Sequence, residues 1–276
     1  MIATGNEELI KRIARLARLN QEQDDHIKKL EKQIGDLTLE IGRLKASQNV
    51  PESLQIHPVK EEAREKSLKF NMATVLFAEV RSSAQAVEAL NSYSYMDELD
   101  EIFIEFGAIA DRLGIEKIKT IGDTFMCAGG IPLKNITNPV AVVLAAVEMK
   151  NFLNRFETEK RGNRERIWQL KIGIHTGPVL ASVSGKKKIS YEIKGDTVNN
   201  ASRIVAVSAT ETILISVMTY ELVKELFVCE YSGMLPVKYK GNLDLFGVKG
   251  LKPDLSVEGK GMIPDDLFRI KFSLKV

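Results

Sequence analysis

Apolar residues recur on two different periods along this chain, and the change of period divides it. From Leu9 to Leu44 the spacing is a heptad. Ile13, Asn20, Ile27, Ile34 and Ile41 fall at a, and Leu9, Leu16, Leu30, Leu37 and Leu44 at d, with Gln23 breaking the d series. Isoleucine at a with leucine at d favours a parallel two-stranded coiled coil, and one asparagine at a fixes register and partner number. Glu40 and Lys45 add a g-to-e pair. One amphipathic helix lying on a globular domain is the alternative, which the persistence of the period disfavours. Residues 1–46 are thus predicted as a dimeric stalk, helical over Asn6–Ala46. Residues 47–69 are predicted as a linker, because Pro51 and Pro58 break the helix, with a short charged helix at Lys60–Ser67. Residues 70–276 form the globular domain.

Within that domain the period becomes mixed. Asn71–Val80 (NMATVLFAEV) is almost unbroken apolar sequence, as in a strand buried on both faces, with Glu79 at its end. Ala84–Leu113 predicts a helix whose apolar residues are Leu90, Leu99, Ile102, Ile104 and Phe106, with an interruption open at Asn91–Tyr95. Ile115–Ile121 alternates, Phe125–Ala128 is apolar, and Gly122-Asp123 between them predicts a tight hairpin turn. Asn138-Pro139 predicts a helix start, cap then proline, with Val140, Val143, Leu144 and Val147 as its stripe. Trp168–His175 predicts a strand ending at Thr176-Gly177-Pro178. Strand, helix, hairpin, helix, strand is an α+β pattern: a ferredoxin-like βαββαβ core on an antiparallel sheet, with extra strands after it.

Composition narrows the class. At 276 residues the chain holds one domain of ordinary size plus an appendage, and 44% apolar with 28% charged residues describes a folded protein. A net charge of +2 implies no obligate nucleic-acid or membrane partner. The Lys186–Lys188 run has no interleaved aromatic residues and reads as a solvated loop. Cys127 and Cys229 make no disulfide framework, which points to a reducing compartment. Glu7, Glu8, Lys11 and Arg12 exclude a signal-peptide core, and the most apolar stretch, Pro139–Met149, is short and contains Glu148. The expectation is a cytoplasmic protein without a membrane span. His26, His57 and His175 are scattered and suggest no histidine metal site.

Two clusters carry chemistry. Asp123 alone would be an ordinary turn residue. Glu79 gives it a companion, and acids at the ends of two buried strands are good ligands for a hard divalent cation. In Tyr191–Arg203 (YEIKGDTVNNASR), Gly195-Asp196-Thr197 starts a helix and sets Asn199 and Arg203 one turn apart on one face. An amide beside a guanidinium suits an anionic ligand, the planar fork matching phosphate oxygens. A surface ion pair is the other reading for Arg203.

Together KTIGDTFMCAGGIP, KIGIHTGPVLASVSG and YEIKGDTVNNASR resemble the catalytic domain of the class III adenylyl and guanylyl cyclases, over about Asn71 to Val248. The resemblance implies that Glu79 and Asp123 hold a pair of divalent ions, Mg2+ or Mn2+. It implies a loop after the first acid, with Val80, Ser82 and Ser83 cradling the triphosphate. Lys119 and Glu192 would contact the purine, Asn199 would orient the ribose, and Arg203 would stabilise the transition state. Lys240 in PVKYKG would bind the triphosphate, with Lys238 the nearby alternative. Many bacterial members carry an N-terminal coiled coil that passes on a signal, so an upstream signalling partner is implied. So is a homodimer in which Glu79 and Asp123 come from one chain and Lys119, Glu192, Asn199, Arg203 and Lys240 from the other.

The implied reaction is attack of the ribose 3′-hydroxyl on the α-phosphate, with pyrophosphate leaving. Adenine offers an acceptor at N1 and a donor at N6, lysine only donates, and an ionised glutamate only accepts. Lys119 with Glu192 therefore predicts ATP as substrate and cyclic AMP as product. The chain departs from the family where Glu79 replaces aspartate, Ser82 and Ser83 replace glycine and an aromatic residue, and Glu192 lengthens the base-reading acid. Lys194 and Ser182 likewise replace an apolar residue and a glycine. These departures leave open a weak, cyclase-like nucleotide-binding regulatory module, or another base. A scaffold without chemistry is disfavoured by the joint presence of Lys119, Asp123, Asn199 and Arg203.

Overall fold

The computed structural model describes residues 67–82, 92–162, 166–184, 190–237 and 241–272, with Lys29, Lys32, Gln33 and Asp36. The chain divides into a unit Met1–Ala63 and a unit Arg64–Val276. In the first, the four described residues are helical and exposed. The rest of the predicted stalk and the linker up to Ser67 lie outside the described residues.

The second unit is built on one sheet. Its first elements are β1 (Ser67–Ser82), α1 (Ser92–Arg112), β2 (Glu116–Ile121), β3 (Thr124–Gly129), α2 (Asn138–Arg161) and β4 (Trp168–Ser184). The four strands lie in the order β2-β3-β1-β4 with every neighbouring pair antiparallel, which is the expected βαββαβ core. The additions follow: β5 (Ser190–Lys194) pairs with the end of β4, and α3 (Asp196–Val207) leads to β6 (Thr212–Ser216), parallel to β4. After α4 (Val217–Val223), a long hairpin of β7 (Phe227–Val237) and β8 (Gly241–Leu251) extends the sheet beyond β6. Short 3-10 turns and α5 (Asp266–Phe272) close the described chain.

Side chains alternate across a strand, so the unbroken apolar run of β1 must be covered twice. Leu76, Ala78 and Val80 join the larger core with Phe103, Phe106, Phe125, Leu144 and Trp168. Ala73, Val75 and Phe77 join a smaller core with Met126, Val179, Ile193, Ala201 and Val205. α1 and α2 cover the first face, and α3 covers part of the second.

Three details differ from the sequence expectation. Ile104 is 73% exposed while Ile102 is fully buried. Residues two apart on a helix sit about 200° apart, so the buried face is Leu99, Ile102, Phe103, Phe106 and Ile109 instead. β4 does not stop at His175. It runs through Pro178 because Phe70 pairs with Val179 and Ala73 with Gly177, so that Asn71 and Met72 together oppose the proline. At such a bulge the missing N–H costs the ladder nothing. Asn138 is not the cap of α2. Thr137 precedes the helix, and the Asn138 side chain is buried, its Oδ1 accepting from Thr74 Oγ1 at 2.6 Å.

Both cysteines are free, and Cys127 is wholly buried in β3. Burial pushes the Cys127 thiol up to about 12. It pushes Cys229 up to about 11, partly opposed by the Lys252 charge. Folding therefore keeps both protonated, and stability falls as pH rises above the unfolded thiol value of 9.0. Neither cysteine should be alkylated by N-ethylmaleimide at pH 7.5 in the folded chain, and both should be alkylated in denaturant, as counted by mass spectrometry. Rapid native labelling of Cys127 would contradict an interior β3.

Candidate active site

Asp123 is placed by the β2–β3 hairpin. Gly122 takes a left-handed φ of 59° with open space around it, so backbone conformation rather than crowding calls for glycine. The strand leaving this turn pairs with β1, setting Glu79 opposite Thr124. The Val80 N–H donates to the Asp123 carbonyl at 2.9 Å. The backbones beneath the two acids are thus bonded to one another. Asp123 is half-buried and accepts from Thr124 Oγ1 at 3.2 Å.

The Glu79 side chain is only 11% exposed and is paired with the guanidinium of Arg81, two residues along the same strand. A carboxylate so far out of water needs a cation or donors close by. Lys171 stands opposite Glu79 in the β1–β4 ladder, on the same face of the sheet. Neither cation was picked out from the sequence. The Glu79–Arg81 spacing could have suggested the first, since residues two apart share a strand face. Lys171 becomes visible only once the register is known.

The resemblance implies a divalent cation, and the donors fit one. Carboxylates carried on backbones bonded to one another, as at Glu79 and Asp123, are hard oxygen ligands of the kind magnesium and manganese take. Among the described residues no group of three or more His, Cys, Asp or Glu side chains gathers in one place. A pair of acids that leaves other positions to phosphate oxygens and water is the usual arrangement for magnesium on a nucleotide.

Beyond Glu79 the structure departs from the expected phosphate loop. β1 continues as strand through Val80, Arg81 and Ser82, paired with Leu170, Gln169 and Trp168. Val80 has its N–H committed to Asp123 and its side chain in the larger core. Serine at 82 carries a Cβ and stays comfortably in the extended region, where glycine would have loosened the chain. Ser83 lies outside the described residues, as do Lys238 and Lys240 between β7 and β8.

Lys119 owes its setting to a bulge. Lys117 opposes Cys127 and Lys119 opposes Met126, which leaves Ile118 as the extra residue. Lys117 lies over the Phe125 ring at 5.5 Å, Ile118 packs on the smaller core, and Lys119 is exposed. β2 and β5 approach each other without sharing a ladder. Glu192 in β5 is half exposed and pairs with Lys194 at 3.4 Å.

Asn199 and Arg203 sit one turn apart on α3 and are both exposed. The opposite side of this helix, through Thr197, Ala201, Ile204 and Val205, is buried. α3 lies directly on β4. A Cβ added at Gly173 would come within 2.3 Å of the Val205 backbone N. At the start of the helix Thr197 Oγ1 donates to the Pro178 carbonyl at 2.7 Å. Among the described residues no hydrogen bond or ion pair joins the Glu79–Asp123 pair to Asn199 or Arg203.

Residues 65–250 match the family described as the adenylate and guanylate cyclase catalytic domain. The chain belongs to that family. This cyclase domain is 32% identical over 177 residues to a membrane guanylyl cyclase of Dictyostelium discoideum, covering 64% of this chain and 11% of that one. It is 31% identical over 184 residues to an adenylate cyclase of Mycobacterium tuberculosis, covering 67% of this chain and 41% of the other. The chain therefore spans less than half the length of these relatives. Among solved structures, the catalytic core of a rhodopsin-guanylyl cyclase with converted specificity, in complex with ATPαS, aligns with a TM-score of 0.59 at 30% identity. It covers 66% of this chain and 97% of that one. The adenylyl cyclase CyaB from P. aeruginosa aligns with a TM-score of 0.60 at 26% identity, covering 66% and 95%. Relatives of both base specificities are thus represented.

The Gly173 contact gives the cyclase domain a sharp test. Gly173→Ala forces backbone against backbone, a strain of about 1–3 kcal/mol or a displaced α3. Thermal denaturation should show a lower Tm. An unchanged Tm would mean that α3 does not lie on β4.

Proposed function

We propose that this chain is an adenylate cyclase that converts ATP to 3′,5′-cyclic AMP and pyrophosphate as a homodimer. The observation that carries this is that Glu79 and Asp123, the two acids to which the family resemblance gives the metal ions, stand on backbones joined by the Val80–Asp123 bond, in a chain that belongs to the cyclase family. Glu79 and Asp123 would hold Mg2+ or Mn2+, which when bound lowers the pKa of the attacking hydroxyl and neutralises phosphoryl charge. Asn199 orients the ribose. Arg203, whose exposed guanidinium is free to meet phosphate, stabilises the charge that spreads over the oxygens in the transition state. Ser82, Ser83 and Lys240 meet the triphosphate, and Val80 serves by fixing Asp123.

Lys119 donates to adenine N1 and Glu192 accepts from its N6 amino group. The converging course of β2 and β5 within one chain supports this two-point reading. Lys194 must yield its hold on Glu192, an exposed pair of the kind that contributes about 0–1 kcal/mol. The heptad repeat supports a parallel dimeric stalk read by an upstream partner. Free cysteines support a cytoplasmic setting, and among the described residues no helix is long and apolar enough to cross a membrane.

A second reading has its own observation. Arg81 already neutralises Glu79, and β1 runs on where a phosphate loop would open, as suits a domain that binds nucleotide without turning it over. Purified protein given each nucleoside triphosphate with Mg2+ or Mn2+ decides between the two. Mass spectrometry should find cyclic AMP in clear excess over cyclic GMP, and no product from Asp123→Ala. Bound but unconverted nucleotide would establish the regulatory reading, and equal use of ATP and GTP would remove the adenine assignment.

The division of the site between two chains is tested by mixing. Asp123→Ala and Arg203→Ala homodimers should each be inactive. Co-refolded in equal amounts, half the dimers would be mixed and carry one intact site, giving about a quarter of wild-type activity. Verified heterodimers with no rescue would place the whole site within one chain.

A further inference from the structure

His175 has no histidine near it in the sequence, yet in the fold it is the joint of a buried polar chain. It is 7% exposed in β4, on the strand face that meets α3. Its Nε2 lies 3.3 Å from Asn200 Nδ2, the residue after Asn199 on α3. Its Nδ1 lies 2.7 Å from Ser216 Oγ, at the start of α4. From there the contacts continue inward. Ser216 Oγ meets Thr219 Oγ1 at 3.3 Å, Thr219 meets Thr176 Oγ1 at 3.0 Å, and Thr176 meets Thr74 Oγ1 at 3.0 Å. Thr74 ends the row by donating to Asn138 Oδ1 at 2.6 Å.

The far end fixes the direction of every proton. The Asn138 amide nitrogen is already given to the Asn135 carbonyl, so its oxygen faces Thr74 as a pure acceptor. Each hydroxyl spends its single proton toward Asn138: Thr74 to Asn138, Thr176 to Thr74, Thr219 to Thr176, and Ser216 to Thr219. Ser216 Oγ, which also accepts from the Thr219 N–H at 3.4 Å, can then only accept from His175. In the neutral imidazole the proton therefore sits on Nδ1, and Nε2 is left as an acceptor for Asn200.

We propose that this ordered chain makes His175 a positioning residue for the catalytic helix, holding α3 at the rotation that aims Asn199 and Arg203. The inference rests on the roles given to those two residues above. Thr197 fixes the start of α3 and Gly173 receives its far end, whereas the His175–Asn200 bond acts on the middle of the helix beside Asn199. The leverage is large. At a side-chain radius of about 5–6 Å, turning a helix by about 10° moves its groups by about 1 Å. A misplacement of about 1 Å can cost on the order of a hundredfold in rate.

The test uses the full chain, with His175→Ala, Asn200→Ala and the double variant. Each single variant should lose about ten- to a hundredfold in kcat while KM for ATP stays within about twofold, because the helix is mis-aimed in the transition state and not emptied of ligands. Both effects come through one bond, so the double variant should be no worse than the worse single. Unchanged kcat in both single variants, or effects that multiply in the double, would overturn the proposal. So would a loss carried by KM alone. Nitrogen-15 NMR of His175 is read on wild type and on Asn200→Ala independently of turnover. It should show the Nδ1–H tautomer, with an Nε2 signal that moves when Asn200 is removed. An Nε2–H tautomer, or an Nε2 signal indifferent to Asn200, refutes it even if His175→Ala does not fold. A wild type without cyclic product would strike at the adenylate cyclase reading instead, and the tautomer would still decide this one.

Discussion

β1 carries apolar side chains on both faces, and a strand of that kind cannot lie at the surface of anything. Leu76, Ala78 and Val80 require one cover and Ala73, Val75 and Phe77 another. The first is generous: Phe103, Phe106 and Phe125 gather there, with Phe106 and Phe125 edge to face at 5.8 Å. The second is narrow, because α3 reaches the sheet where Gly173 lets it in. Phe77 pairs with Gly173, and two residues further along the same face Glu79 pairs with Lys171. The acid therefore emerges where the cover ends. It is low enough in the sheet to be largely screened from water, and open enough to take a cation.

The parts of this arrangement that sequence reveals are those governed by neighbours in the chain. Gly122-Asp123 announces its turn because positive φ is a property of one residue. The double burial of β1 shows as an unbroken apolar run, and Asn199 and Arg203 share a face through helical spacing alone. What stayed hidden depends on pairing between distant segments. Pro178 reads as a stop until the bulge at Asn71 and Met72 in β1 excuses its missing N–H. Asn138 reads as a cap until Thr74, 64 residues away, is found beneath it. His175 reads as isolated because its partners Ser216 and Asn200 are 41 and 25 residues off. The stalk heptads remain a statement about sequence.

The two halves of the proposed site are held by different physics. The backbones of Glu79 and Asp123 are fixed by strand pairing and the Val80–Asp123 bond. Asn199 and Arg203 ride on a helix seated by a glycine contact, one threonine and a chain of hydroxyls ending at a histidine. A backbone ladder is stiff and distributes load over many bonds. A helix seated on side chains can roll by a few degrees at the loss of about one hydrogen bond, roughly 0.5–1.5 kcal/mol. Precision on the acid side is therefore intrinsic to the sheet, while on the helix side it has to be maintained.

Glutamate at 79 and arginine at 81 then make sense as one feature. They are two apart on a strand and so share a face, and the extra methylene of glutamate carries its carboxylate outward to the guanidinium. An aspartate in the same place would hold its charge closer to the backbone and farther from Arg81. Two carboxylates brought near each other with little water between them repel strongly unless a cation intervenes. Arg81, more than half exposed, can provide that cation and can also leave, since its own charge is well solvated when it swings away. The longer acid is thus held by a guanidinium at the end of its strand, and a divalent ion bound there, as proposed, would have to displace that guanidinium and not merely bare water.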